Sequence, residues 1–85
     1  MERDNLISYI LSSKNRLTIL KLLQEQRLTA SEISQLTSID YRHVWFYLQE
    51  LKKRELVTHN DVRKNKIHRL TDLGNEILTG VEQRG

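Results

Sequence analysis

Two stretches with the spacing of amphipathic helices are separated by only three residues, and this arrangement constrains the fold more than any other feature of the chain. In the second stretch, residues 40–54, apolar residues recur at the spacing that places them on one side of a helix: Val44, Leu48 and Leu51. The first stretch, residues 30–36, follows Thr29 and carries Glu32, which together form the pattern of a capping box. The turn 37–39 leaves room only for a sharp angle, so the sequence predicts a helix-turn-helix.

The side of the second helix opposite its apolar stripe combines charged, polar and aromatic residues. Along its middle lie Arg42, Phe46, Gln49 and Lys53, and along its edges lie His43, Trp45 and Lys52. Water disfavours exposed tryptophan and phenylalanine, and a protein core disfavours arginine and glutamine. A DNA major groove accommodates both kinds because it presents donors, acceptors and thymine methyl groups. We therefore predict a DNA-reading helix; the alternative is an ordinary amphipathic helix whose aromatic rings meet a neighbouring helix or subunit.

The positive charge of the chain is concentrated in the same region. The net charge is +3. Residues 42–69 contain eight lysine and arginine residues and three acidic residues, a balance of +5, whereas the remaining residues carry six basic and eight acidic side chains. Such a distribution is expected of a surface that binds phosphate groups. A basic surface without a partner is the alternative.

Single residues of the reading helix suit particular DNA groups. Arg42 suits guanine or a phosphate, Gln49 suits adenine, and Phe46 suits a thymine methyl group or a sugar. We expect Tyr41 and Tyr47 to bury their rings and to leave their hydroxyl groups within reach of phosphates.

After the reading helix, two β-prone segments, residues 56–60 and 67–71, flank a polar and basic stretch at 61–66. This pattern predicts a β-hairpin with its tip near Arg63 and Lys64. In the expected register three pairs face each other: Val57 with Leu70, His59 with His68, and Asp61 with Lys66. Two histidines without a third ligand do not predict a metal site. The predicted DNA-binding residues are Tyr41, Arg42, His43, Trp45, Phe46, Gln49, Lys53, Arg63, Lys64 and Lys66.

The helices outside these elements are less sharply bounded. We expect a short helix at residues 5–11, then a broadly apolar and central helix at 14–26 with Ser12 or Ser13 as its cap. From the first helix of the motif, Ile33 and Leu36 should point inward.

The C-terminal helix is expected to begin at Asp72, after Thr71 as its cap, and to reach about residue 78. Its apolar stripe would be Leu73, Ile77 and Val81. Residues 82–85 are expected to fray.

Length and composition exclude several classes of function. A chain of 85 residues makes one domain with a modest core, and it has no cysteine and therefore no disulfide or thiolate chemistry. The sequence has no apolar run long enough to span a membrane and no signal peptide at its start, so we expect a cytoplasmic, nucleoid-associated protein. No grouping of residues predicts catalysis, a metal or another cofactor.

Four stretches occur in the order and spacing of a known family. Residues 13–23 resemble its Arg-Leu-x-Ile-Leu-x-x-Leu opening helix, and residues 28–33 resemble the start of its first motif helix. The spacing within residues 44–57 resembles its recognition helix, and residues 70–74 resemble its Leu-Thr-x-x-Gly. On these residues, which lie within 13–78, the chain resembles the winged helix-turn-helix transcriptional regulators of bacteria and archaea, in particular the ArsR and MarR groups.

The resemblance implies a mainly α-helical fold with one small β-hairpin, the wing, in a single domain over residues 1–85. It also implies a homodimer that reads a pseudo-palindrome of double-stranded DNA in adjacent major grooves, with the wing on the backbone or in the minor groove. The chain departs from the family in its short wing, its lack of long terminal helices, and Glu55 at a position where glycine is usual. No small-molecule effector is evident.

Residues 1–12 and 79–85 lie outside the resembling part and are expected to be terminal helical extensions. The apolar residues near the two ends exceed what so small a monomer was expected to bury, and they predict a dimer seam: Leu6, Ile7, Ile10, Leu11, Ile77 and Leu78.

Two other functions remain open from the sequence. In a protein–protein module of a transcription or replication complex, Trp45 and Phe46 would anchor the partner. In an RNA or single-strand binder they would stack on bases. Trp45 also suits packing against the first motif helix or the wing.

Overall fold

The computed structural model describes residues 2–84 and contains five helices and one two-stranded antiparallel sheet in that range. In chain order the elements are α1 (Glu2–Leu11), α2 (Lys14–Glu25), α3 (Ala30–Thr37), α4 (Tyr41–Lys53), β1 (Val57–Val62), β2 (Asn65–Leu70) and α5 (Asp72–Arg84). The predicted mainly α-helical fold with a small β-hairpin is confirmed. Within the described range, no helix combines the length and apolar character needed to cross a membrane.

Local capping sets the ends of α2, α3 and α4. The Ser13 hydroxyl accepts a hydrogen bond from the Arg16 amide at 3.3 Å, which caps α2. The predicted capping box of α3 is present: the Thr29 hydroxyl accepts from the Glu32 amide at 3.1 Å, and the Thr29 amide donates to the Glu32 carboxylate at 2.9 Å. These caps satisfy amides that have no partner within their own helix.

The turn between α3 and α4 has the conformation that a sharp helix-turn-helix needs. Ser38 ends α3 in the left-handed region, with φ 62°. Asp40 then caps α4 by accepting from the Arg42 amide at 3.2 Å. Ile39, between them, is partly buried and packs against the core.

The wing has the register predicted from the sequence. Val57 pairs with Leu70, His59 with His68, and Asp61 with Lys66. The strands extend further than expected, to Val62 and from Asn65, so the turn contains only Arg63 and Lys64. The wing joins the helices through Leu28, whose amide donates to the His68 carbonyl at 3.1 Å and whose carbonyl accepts from the His68 amide at 2.7 Å.

One apolar core lies between the helices and the base of the wing. Its fully buried members include Leu20, Ile33, Val44, Leu51 and Leu56. Gly74, in the first turn of α5, lies against the Leu56 carbonyl, and a Cβ built on Gly74 would lie 2.2 Å from that oxygen. The glycine of the Leu-Thr-x-x-Gly stretch is therefore required by close packing of α5 on the segment that links α4 to β1.

Several boundaries and orientations differ from the sequence prediction. The first helix begins at Glu2, not at residue 5, and α5 continues to Arg84, well beyond residue 78. The prediction that residues 82–85 fray is wrong for 82–84, which are helical; Gly85 lies outside the described residues. Leu36, predicted to point inward, is 58% exposed, because α3 buries only its Ala30 and Ile33 side.

The terminal helices are long because they pack on each other. Ile7 and Ile10 of α1 and Ile77, Leu78 and Val81 of α5 are buried within the single chain. Gly80 allows this approach, since a Cβ there would lie 2.8 Å from the Ile7 side chain. Exposed ion pairs at the same contact join Arg3 to Glu76 at 2.6 Å and Arg84 to Asp4 at 2.8 Å. The single chain thus buries most of the apolar residues that were predicted to form a dimer seam.

Candidate nucleic-acid interface

The orientation of α4 is fixed by its apolar stripe. Val44, Leu48 and Leu51 are at most 1% exposed, so this side of the helix belongs to the core. The opposite side faces solvent, and Phe46, at its middle, is 60% exposed. The predicted assignment of one side of this helix to the core and of the opposite side to solvent is therefore confirmed.

Three aromatic side chains gather on the exposed side of α4, and we name them the aromatic cluster: Tyr41, Trp45 and Phe46. The Trp45 and Phe46 rings meet edge to face with centroids 5.4 Å apart. With Arg42 the cluster lines a shallow apolar hollow of about 370 Å³. Tyr41 is 50% exposed, so the prediction that its ring is buried is wrong. Tyr41 lies in the first turn of α4, where it is exposed beside Arg42 and Trp45.

Tyr47 differs from the aromatic cluster in its surroundings. Its ring is half-buried, and its hydroxyl accepts a hydrogen bond from the Asn15 side-chain amide at 3.4 Å. Tyr47 is therefore directed toward α2, and the role on DNA expected for its hydroxyl does not follow from this geometry.

A groove of about 660 Å³ runs between α4 and the wing. One wall carries Tyr41, Trp45 and Gln49 from α4, and the other carries Lys64 and Lys66 from the wing. The beginning of α3, residues 29–32, closes the groove at its side. Five of the predicted DNA-binding residues thus line one concave surface, and they bring to it two aromatic rings, one amide and two ammonium groups.

The wing is held against α4 at its base by a contact that the sequence analysis did not anticipate. Lys52 Nζ lies 3.0 Å from His59 Nδ1. An ammonium group can only donate, so His59 Nδ1 accepts and the ring proton is on Nε2, 3.7 Å from Asp61 Oδ1. Lys52 therefore positions the wing rather than facing outward along the edge of the reading helix.

His68 lies at the buried end of the groove. It is 4% exposed, and its ring centroid is 5.5 Å from that of His59. Burial lowers the pKa of His68, so the ring is neutral near neutral pH. Among residues 2–84, no group of three histidine, cysteine or acidic side chains is arranged to hold a metal ion.

The wing tip carries its two charges in an unusual backbone conformation. Arg63 and Lys64 have φ values of 49° and 71°, which lie in the left-handed region. A two-residue hairpin turn with both residues in that region favours asparagine and glycine. Both side chains are exposed at the end of the wing. The turn thus carries two cationic residues where backbone geometry alone would select small ones.

The remaining predicted residues lie apart from the groove. Arg42 and His43 are exposed at the first turn of α4, Arg42 beside the aromatic cluster. Lys53 lies at the other end of the helix and borders a depression lined by Arg3 and Tyr9 of α1. The structure therefore separates Lys53 from the part of the reading face that adjoins the wing.

A second contact missed from the sequence joins α1 to the end of α4. The guanidinium groups of Arg16 and Arg54 both lie 3.9 Å from the centroid of the Tyr9 ring. Arg16 also lies 3.9 Å from the Glu50 carboxylate. Burial raises the pKa of Tyr9, against the opposing effect of the two arginines. Arg54, counted among the basic residues of the region, is therefore directed toward α1, and no local pattern in the sequence signals this contact.

A helix-turn-helix followed by a basic β-hairpin defines the class of this protein: it has the fold of a DNA-binding winged helix-turn-helix transcription regulator. A family model described as winged helix-turn-helix matches residues 16–84. The chain therefore belongs to the winged helix-turn-helix family. A search of curated protein sequences found no match.

Solved structures share the fold at low sequence identity. TubR bound to 24 bp of tubC from Bacillus thuringiensis serovar israelensis has a TM-score of 0.88 and 17% identity, over 100% of this chain and 97% of TubR. Apo MarR from E. coli has a TM-score of 0.81 and 20% identity, over 95% of this chain and 66% of MarR.

The homodimeric winged helix-turn-helix DNA-binding domain of Mb0332 from Mycobacterium bovis, a candidate ArsR-family regulator, has a TM-score of 0.77 and 21% identity. That match covers 96% of this chain and 74% of the domain. With MarR, it shows that this chain shares its fold with members of the ArsR and MarR groups, which the sequence motifs indicated.

Proposed function

We propose that this protein is a sequence-specific regulator that binds double-stranded DNA as a homodimer, with α4 in the major groove and the wing on the backbone or in the minor groove. One observation carries the proposal: the solvent-facing side of α4 presents Arg42 and Gln49, whose side chains suit base edges, beside a wing whose tip is cationic. The role is one of binding, without catalysis.

The exposed side of α4 suits this role. An α-helix fits the major groove of B-DNA, and the residues at its exposed side then reach base edges. Gln49 would face adenine, and Arg42 would face guanine or a phosphate. The wing, held at its base by the contact between Lys52 and His59, would bring Arg63 and Lys64 to the adjacent backbone.

The relatives in fold support the same partners. TubR was solved with DNA, and the Mb0332 domain is a homodimer that binds DNA. TubR also matches this chain over nearly the whole of both. We extend DNA binding and dimerisation to this chain on that basis, together with the charge and shape of its own groove.

The first test separates phosphate contacts from base contacts. A duplex is selected from a random library and compared with a scrambled duplex of equal length. Lys64→Ala should weaken binding to both and lower the salt slope by about one. Arg42→Ala or Gln49→Ala should cost about 1–3 kcal/mol on the selected duplex and much less on the scrambled one.

The control for lost charge is Lys21→Ala, an exposed lysine on α2 that lines none of the grooves described above. It should change neither affinity nor salt slope appreciably. Equal losses on both duplexes for Arg42→Ala and Gln49→Ala would assign these side chains to phosphates. Failure of any duplex to be enriched would remove the proposal of sequence-specific binding.

A second candidate function follows from the exposure of the aromatic cluster. Large exposed rings on one surface also serve as anchors for a protein partner. In that case the chain would be a protein–protein module, and the binding it shows would depend weakly on salt, whereas DNA binding weakens steeply as salt rises. The first test therefore distinguishes the two functions: a protein–protein module would bind every duplex weakly and enrich none, whereas a DNA-binding regulator would bind a selected duplex tightly and lose that binding steeply as salt rises.

A further inference from the structure

The aromatic cluster has a composition that phosphate binding does not explain. Tyr41, Trp45 and Phe46 are all exposed large apolar side chains. Arg42 is the one charged residue among the four that line their hollow. An exposed apolar hollow on the surface of a monomer indicates a contact with something that is itself apolar.

Within a DNA major groove, the apolar group available to a side chain is the C5 methyl group of thymine. The other three bases carry no methyl group there, and cytosine has only a hydrogen at C5. We propose that the aromatic cluster recognises thymine methyl groups and thereby biases this protein toward operators rich in T·A pairs at the positions under the first half of α4. The inference rests on the proposed DNA-binding function and names what one part of that surface reads.

The positions of neighbouring residues support this assignment. Phe46 and Gln49 are three residues apart on one helix and therefore adjacent on its surface. Glutamine pairs with adenine through the major groove, so Gln49 and Phe46 together suit the two bases of a T·A pair. The cations of the surroundings, Arg42 beside the hollow and Lys64 across the groove, favour a polyanion over an apolar peptide as the occupant.

The cluster is also arranged before any ligand arrives. The edge-to-face contact between Trp45 and Phe46 restricts both rings. Trp45 in addition forms part of the groove wall beside Gln49. A methyl group entering the hollow would therefore bury apolar surface at a small cost in side-chain order.

The experiment removes methyl groups without changing any hydrogen-bonding group. The duplex selected for tightest binding is compared with the same duplex in which deoxyuridine replaces thymidine. Wild-type protein should lose about fourfold in affinity for each methyl group that the cluster contacts, the effect of withdrawing one buried methyl-sized group. In a third duplex, 5-methylcytosine replaces cytosine at neighbouring positions of the deoxyuridine duplex, and part of the loss should be recovered.

Three variants relate the methyl effect to the cluster. Phe46→Ala and Trp45→Ala should each bind the thymine duplex more weakly and discriminate less between thymine and uracil. Lys64→Ala should bind both duplexes more weakly and keep the full discrimination, because an ammonium on the wing contacts phosphate and not methyl. Thermal unfolding of Phe46→Ala should match wild type, since Phe46 is 60% exposed.

Each outcome decides the inference. Equal affinity of the wild type for thymine and uracil duplexes overturns it and leaves the proposed DNA-binding function intact. Full discrimination retained by both Phe46→Ala and Trp45→Ala also overturns it, because another group would then read the methyl. If no duplex is enriched over random sequence, the proposed function and this inference fall together.

Discussion

His68 is a polar residue in a buried position that would suit an apolar residue. Its backbone pairs with Leu28, which joins the wing to the helices, while ring atom Nδ1 is buried and has no hydrogen-bond partner among residues 2–84. Burial lowers the pKa of His68, a hydrogen bond with the Leu28 backbone opposes that effect, and the neighbouring His59, Lys52 and Lys66 lower the pKa further. Glu32 is the acidic residue that lines the same groove.

Stability should therefore fall on mild acidification. Above about pH 6.5 His68 is neutral in both the folded and the unfolded state. Below that value the unfolded chain takes up the proton first, because the folded pKa is the lower one, so protonation favours unfolding. His68→Phe should raise the free energy of unfolding by about 1–3 kcal/mol and flatten its decline between about pH 7 and 5, measured by urea denaturation.

The control for this prediction is His43→Gln, on an exposed histidine of α4. It should leave the pH dependence unchanged. A free energy of unfolding that stays level in wild type as the pH falls, or that increases, would contradict the assignment to His68.

Single residues also show where sequence reasoning succeeds and where it fails. Glu55 stands where glycine is usual in the family that the sequence resembles. The structure keeps the left-handed conformation there, with φ 62°, so glutamate adopts the geometry at a cost in strain. Leu36 was predicted to point inward and the Tyr41 ring to be buried, and both are exposed. Each lies in a terminal turn of its helix, where burial depends on packing partners from other parts of the chain.

At the scale of elements, local rules predict most of this protein. Caps at Ser13, Thr29 and Asp40 mark helix starts by hydrogen bonds that reach at most three residues along the chain. The wing register follows from two β-prone runs and one polar stretch between them. The contact of Tyr9 with Arg16 and Arg54 follows from no such rule, because it depends on how α1 is placed relative to α2 and to the end of α4.

The wing turn allows backbone strain and charge to be separated by substitution. Replacing Arg63-Lys64 with Asn-Gly supplies residues suited to two left-handed positions, so the free energy of unfolding should rise by about 1–2 kcal/mol. The same change removes two cations that we propose contact phosphates, so the salt slope of duplex binding should fall by about two. Chemical denaturation and a salt titration measure the two effects independently.

A double Arg63→Gln and Lys64→Gln variant is the matched control for the wing turn. It removes the charges but keeps side chains that are strained in the left-handed region. It should lose the same part of the salt slope and gain no stability. If this control were stabilised as much as Asn-Gly, charge repulsion at the tip would be the cause, and the argument from backbone conformation would be wrong.

At the scale of the whole molecule, the terminal helices close the core within one chain. The sequence predicted that their apolar residues form a dimer seam, because so short a chain was expected to have too little interior for them. The structure instead buries Ile10 and Leu78 completely between α1 and α5 of the same molecule. Of the residues predicted for the seam, Leu11 is 46% exposed and Leu6 is partly buried. The homodimer that we propose would therefore use a surface other than the buried sides of α1 and α5.

This arrangement makes a prediction about how stability depends on protein concentration. Ile77 is 1% exposed and belongs to the core of the single chain. Ile77→Ala should lower the free energy of unfolding by about 2–5 kcal/mol, the usual cost of truncating a buried isoleucine. The resulting decrease in Tm should be the same at two protein concentrations about a hundredfold apart, because no subunit contact is lost. Leu11→Ala, at an exposed position on α1, is the control and should cost much less. Sedimentation equilibrium provides the second measurement. If Ile77→Ala converts a dimer into a folded monomer and its decrease in Tm depends on protein concentration, Ile77 contributes to a subunit interface. In that case the packing of α5 against α1 does not by itself complete the core.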